Sequence, residues 1–172
     1  MHRTAKGFTL VELLIVIAIL AILAAATAVV LNPGELLAQA RDAQRSSDLN
    51  SLQTAIGLYM SQATTPSLGA GAAGGRCTAD PGAGNGPFST ATCSDIVTAR
   101  TVAGSGWVDV NFASLATGTT IATLPIDPTN STDYFYAYKS QASDNTFEVN
   151  TRLESKRERD KMTKDGGNKQ TC

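Results

Sequence analysis

Residues 13 to 31 read LLIVIAILAILAAATAVVL, nineteen residues with neither a charge nor a proline, and no other stretch restricts the fold so tightly. As a helix they span roughly 28 Å, close to the hydrocarbon thickness of a bilayer at about 30 Å. A helix that is apolar all round must be covered by lipid or by other helices. Its approach is as distinctive as the run itself. A short leader with Arg3 and Lys6 ends in Gly7, Phe8 follows, and a single carboxylate, Glu12, stands just before the run. A charged carboxylate inserted at the bilayer centre costs about 2.5–3.5 kcal/mol, so Glu12 needs a partner or a shallow position.

A basic start, an apolar stretch and small residues near its end also describe a secretory signal peptide. Ala24-Ala25-Ala26-Thr27-Ala28 offers small-residue cleavage sites, and cleavage near Ala26–Ala28 would release a secreted soluble binding protein. Two features oppose that alternative. A signal peptide has no use for Glu12 at the mouth of its apolar region, and the helical pattern continues well beyond the small residues.

The only histidine is His2, inside the leader. Without another, a Ser-His-Asp triad, a Cys-His pair and an H-E-x-x-H metal site are all excluded, so the sequence does not read as an enzyme. The full chain carries 14 basic and 15 acidic residues. Loss of residues 1–7 removes Arg3 and Lys6, leaving 12 against 15 and a net charge of -3. Such a balance gives no general attraction to nucleic acid.

Leader, glycine, aromatic residue, glutamate and apolar run, in that order, resemble the prepilin cleavage and methylation motif of type IV pilins and type II secretion pseudopilins. The resemblance implies cleavage between Gly7 and Phe8 by a prepilin peptidase, which also methylates the new amino terminus at Phe8. It further implies that Glu12 sets assembly register by pairing with a neighbouring subunit's α-amine. The chain would be inserted in the inner membrane as a single-pass precursor, its C-terminal part outside the cytoplasm. An assembly platform and ATPase would then draw it from lipid into a helical filament, periplasmic or extracellular. Leu124-Pro125-Ile126-Asp127-Pro128 is similar to a segment of major pseudopilins, but Thr129-Asn130-Ser131 stand where glycine-tryptophan-glycine features are often found.

Beyond the apolar run, Asn32-Pro33-Gly34 is the expected hinge. Pro33 must kink or break a helix running through it. Asn32 is also a good N-cap, Pro33 suits a first helical position, and Glu35 suits a capping box. A kinked continuous helix and a recapped second helix both fit. To about Gln62 the period is helical, with Leu49, Leu52, Ile56 and Tyr59 on one apolar face. Arg41, Asp42, Arg45 and Asp48 are expected on the solvated remainder, with subunit bridging as their alternative role. Unbroken from Phe8, this stem would be about 55 residues and roughly 80 Å long.

Residues 63–106 are rich in glycine and proline and read as a variable loop, with a short helix conceivable at 94–100. Cys77 and Cys93 flank its centre, and a bridge between them would staple a loop of about 15 residues, worth about 3 kcal/mol. Free thiols, or pairing of either residue with Cys172, remain open. Residues 107–172 carry the strand signals. Trp107–Phe112, Tyr134–Lys139 and Thr146–Leu153 alternate or are β-prone, and Ser140–Asn145 is of hairpin length. The tyrosines are read as core rather than as a nucleic-acid stacking platform. From Glu154 the chain is a charged tail. Major pseudopilins often bind calcium near this end, and Glu154, Asp160, Asp165 and Asn168 have suitable oxygens, though Lys and Arg among them oppose a divalent ion.

The expected fold is α+β and pilin-like. Residues 1–7 are a leader, 8–31 a transmembrane and assembly helix, and 32–62 the amphipathic rear of the stem, packed on a small antiparallel sheet.

Overall fold

The structure, a computed structural model, describes residues 7–69, 75–82, 88, 93–115 and 118–162, with backbone alone for 160–162. It divides into two units, residues 1–37 and 38–172.

The first unit is dominated by α1 (Leu10–Leu31), 22 residues with none buried. At about 33 Å it is long enough to cross a bilayer, and among the described residues it is the one helix long and apolar enough to do so. Its one hydroxyl beyond the first turn is internally satisfied, Thr27 Oγ1 donating to the Ala24 carbonyl at 2.9 Å. Of the two possibilities at Asn32, the chain breaks and restarts. Asn32 is left-handed (φ 39°, ψ 76°) and α2 (Pro33–Gln62) begins at the next residue. Asparagine tolerates this region better than most residues. Its carbonyl opens the new helix, accepting from the Glu35 and Leu36 amides at 3.0 and 3.3 Å.

In the second unit the inward face of α2 is the one the period predicts. Leu52, Ala55, Ile56 and Tyr59 are buried, with Leu49 packed at their edge. They meet a four-stranded sheet of order β2-β1-β3-β4, formed by β1 (Arg76–Cys77), β2 (Asp95–Ile96), β3 (Tyr136–Gln141) and β4 (Thr146–Thr151). The β3–β4 hairpin runs antiparallel from Tyr136↔Thr151 to Gln141↔Thr146. Asn145 supplies the positive φ (51°) its turn requires. The sheet is mixed, not antiparallel as expected, because β1 pairs antiparallel with β3 but parallel with β2. The Gly/Pro-rich segment therefore contributes two strands, and residues 94–100 hold a strand at 95–96 rather than a short helix. Each has two residues, too few to show a period. A disulfide between Cys77 and Cys93 (Cα–Cα 6.0 Å) ties β1 to the approach of β2.

Trp107–Phe112 is not a strand either. Trp107 and Val108 are consecutive and both fully buried, as are Val110 and Phe112. A strand with one face on the core cannot bury two neighbours in this way. The segment is an irregular strap instead. It is pinned by Trp107 N to Ala99 O (3.2 Å), Phe112 N to Val102 O (2.9 Å) and the indole N–H to Pro125 O (2.8 Å). The tyrosines behave as core. Tyr136 and Tyr138 are buried, and the Tyr138 hydroxyl donates to Leu68 O at 2.8 Å.

The largest departure from expectation concerns the charges of α2. Asp42 and Arg45 are not solvated; both are buried. Arg45 grips Asp127 with two nitrogens, Nε to Oδ2 at 2.6 Å and Nη2 to Oδ1 at 3.0 Å. Its Nη1 donates to Asp42 Oδ1 at 2.8 Å, and its guanidinium lies 5.0 Å from the centre of the Tyr134 ring. Here the inward face of α2 meets loops with free backbone donors rather than the apolar sheet, and charged groups are what such loops can satisfy. Asp48 likewise turns inward, accepting from the Tyr136 hydroxyl at 2.8 Å.

Candidate functional site

At the amino-terminal end, Gly7 is exposed, and a Cβ built on it would meet nothing within 4 Å. Phe8 is 85% exposed. The bond between them is thus open to a protease, and glycine lets an enzyme approach the backbone closely. Thr9 then caps α1. Its hydroxyl accepts from Glu12 N at 3.3 Å, while Glu12 Oε2 accepts from Thr9 N and Thr9 Oγ1, each at 2.8 Å. This is a capping box: two helix-end donors that lack an acceptor within the helix find partners, and the carboxylate sits at the positive end of the helix dipole. Thr9 was not singled out from sequence, although T-x-x-E is the pattern to look for. Gly7, Phe8 and Glu12 fall within one short segment. Asn32, Pro33 and Gly34 fall together at the break between α1 and α2.

A second polar cluster gathers around Asp42. Its Oδ1 accepts from Glu154 N and its Oδ2 from Ser155 N, both at 2.8 Å, so one carboxylate of α2 holds the entry to α3 (Lys156–Met162). Burial alone would push Asp42 up, but the two amides, the Ser155 hydroxyl and Arg45 outweigh it and hold the carboxyl below its ordinary range. Arg41 binds the Glu154 carboxylate with two nitrogens, Nε at 2.7 Å, and this bonding holds Glu154 below its ordinary range. Burial drives Asp48 upward against the opposing bond from Tyr136. Tyr136 is itself raised, by burial and then by Asp48. Burial would lower Arg45, yet Asp127 and Asp42 raise it and keep it charged.

This arrangement corrects two readings of the tail. The tail's first residues, Glu154 and Ser155, are docked on α2 rather than solvated, although Lys156, Arg157 and Arg159 are exposed, and the Glu154 oxygens are taken up by Arg41 and Arg45 rather than offered to calcium. The Asp160 side chain, Asp165, Asn168 and Cys172 lie outside the described residues. Among the described residues, no three of His, Cys, Asp and Glu are grouped to hold a metal.

Residues 2–28 match the family described as the prokaryotic N-terminal methylation motif, 27 positions that contain Gly7, Phe8, Thr9 and Glu12. No curated protein and no solved structure matches the chain.

Proposed function

We infer that a chain opening on this methylation motif, the hallmark of type IV pilins and pseudopilins, is a structural subunit made to be cleaved, methylated and stacked into a filament. The observation carrying this reading is a coincidence of sequence and structure. The matched residues 2–28 cover a leader, an exposed Gly7–Phe8 bond, and a capped apolar helix with no side chain buried within its own chain. A helix of that kind must find its cover elsewhere: in lipid as a single-pass precursor, and among identical helices after assembly. The family is structural rather than enzymatic, and the work done is noncovalent.

Cleavage after Gly7 by a prepilin peptidase would make Phe8 the first residue, with its α-amine one turn from Glu12. In the monomer the capping box occupies Glu12 Oε2. In a filament, an ammonium from a neighbouring Phe8 meets a carboxylate already oriented by Thr9, and such a pair in a low-dielectric core favours one register over all slipped ones. The break at Asn32-Pro33-Gly34 provides the place where the stem changes direction or unwinds on assembly. An assembly platform and ATPase in the membrane would drive extraction. Of the two sibling outcomes, the secretion pseudopilus is supported by the likeness of Leu124–Pro128 to major pseudopilins, and the type IV pilus shares everything else.

Glu12→Val tests the register role. The variant should be made, inserted and cleaved, yet yield few filaments when expressed with its assembly machinery, as judged by shear fractions and electron microscopy. Wild-type filament levels from this variant would remove Glu12 from the account.

A further inference from the structure

The strands of the sheet are unequally secured. On its β3 side, β1 is held by buried groups. Cys77 and Thr78 are fully buried. Thr78 N donates to Tyr136 O at 2.9 Å, and Thr78 Oγ1 accepts from Tyr136 N at 3.0 Å. The Thr78 carbonyl accepts from Asn130 Nδ2 at 3.2 Å. β2 has much less to hold it. Both of its residues are exposed, so it adds little apolar burial. It meets β1 at two positions, Arg76↔Asp95 and Cys77↔Ile96. Ser94 N and Asp95 N donate to Gly75 O at 2.9 and 3.4 Å, and Val97 N donates to Cys77 O at 2.8 Å. The Arg76–Asp95 ion pair is long, 3.8 Å, with the Asp95 side chain exposed, and such surface pairs contribute little.

Bringing β2 back to β1 means closing the loop between them, and that entropy opposes these few edge bonds. The disulfide joins residues 16 positions apart, one in β1 and the other two residues before Asp95. A cross-link over a loop of about 15 residues shifts the closing equilibrium by roughly a hundredfold. The bridge therefore decides whether β2 is paired, whereas β1 keeps its buried bonds to β3 in either state.

We propose that β2 is a redox-controlled edge strand: the Cys77–Cys93 disulfide keeps it on β1, and reduction by a dithiol releases it. Cys93 is half-buried and Cys77 fully buried, so Cys93 is the sulfur a partner reaches. In opening, one thiolate of the dithiol attacks Cys93 Sγ, the bridge breaks, and Cys77 leaves as a thiolate and takes a proton. The second sulfur of the dithiol then attacks the mixed disulfide and frees Cys93. Two electrons and two protons pass to the chain, and the dithiol ends as a disulfide. Closing is the reverse, with a partner's disulfide as the oxidant. An unpaired strand edge is a template for another extended segment. An oxidising compartment thus covers the outer edge of β1, and a reducing one opens it.

The test is amide hydrogen exchange of the full detergent-solubilised chain, oxidised and in dithiothreitol, with Cys93→Ser in dithiothreitol as a bridge-free reference. The expected result is exchange at Ser94 and Val97 faster by roughly a hundredfold in both bridge-free samples. The Tyr136 amide and the β3–β4 hairpin should keep their rates, and reoxidation of the wild-type chain should restore the slow exchange. Unchanged protection of Val97 in Cys93→Ser overturns the proposal, because β2 then pairs without the bridge. Loss of protection throughout β3 and β4 also overturns it, because the bridge then supports the whole domain and not one strand. Fast exchange in Cys93→Ser with a wild-type bridge that resists dithiothreitol overturns the redox control and leaves a permanent staple.

Discussion

Arg45 is the residue whose removal should be felt most widely. Its guanidinium is fully buried between Asp127 and Asp42. Arg45→Met preserves much of the volume but leaves two carboxylates without their cation. Asp127 would keep the amides of Thr129 and Asn130, and Asp42 those of Glu154 and Ser155 with the Ser155 hydroxyl. Breaking a buried pair from one side costs about 3–5 kcal/mol, a large part of the roughly 5–15 kcal/mol typical of a folded domain. With a urea slope near about 2 kcal/mol/M, the unfolding midpoint should fall by roughly 2 M. Denaturation of the detergent-solubilised chain, followed by fluorescence of its single tryptophan, Trp107, measures this directly. Arg45→Met/Asp127→Asn should recover part of the loss, because the neutral side-chain carbonyl then at position 127 still accepts from both loop amides. A stability within about 0.5 kcal/mol of wild type, or strict additivity of Arg45→Met and Asp127→Asn, would refute the claim that this pair organises the domain.

Two glycines should respond in opposite directions. Gly57 lies in α2 with nothing within 4 Å of a built Cβ, so Gly57→Ala should raise stability by about 0.5–1 kcal/mol in the same assay. At Gly106 the built Cβ falls 2.4 Å from both Thr101 O and Leu124 Cδ1, so Gly106→Ala should cost about 1–3 kcal/mol. Acid should weaken the fold through Asp42 and Glu154. Both are held below their ordinary values, so their contribution is complete above about pH 5 and is lost as pH falls through the lower folded values. Asp48, raised by burial, has the opposite sign and partly offsets that loss. Asp48→Asn should therefore steepen the decline of the urea midpoint between pH 5 and 2 (about the range in which carboxyls titrate), and a flatter profile would contradict this assignment.

What could be read from the sequence was whatever repeats locally. The 3.6-residue period carried Leu52, Ile56 and Tyr59 to the core, and alternation with an Asp144-Asn145 turn gave the β3–β4 hairpin. Strands β1 and β2 had no period to show, and their places come from pairing with β3 and from the disulfide. Trp107–Phe112 misled because its alternation is real but incidental. The segment is buried on several sides by the rear of α2, the Leu124 loop and β3. Arg45 was missed for a related reason. Its partner Asp127 is 82 residues away, and a helical arginine looks the same in sequence whether water or a carboxylate awaits it. Glu12 was the reverse case. Its oddity in an apolar setting was visible at once, although its bond to Thr9 was not drawn from the T-x-x-E spacing that encodes it.

The most direct test is the mass of the amino-terminal peptide of the protein recovered from a cell that carries a prepilin peptidase. A retained, assembling stem predicts a peptide beginning at Phe8 with a methyl group on its α-nitrogen and α1 intact behind it. A mature chain beginning near Val29, or one still carrying Met1 to Gly7 in that cell, would contradict it.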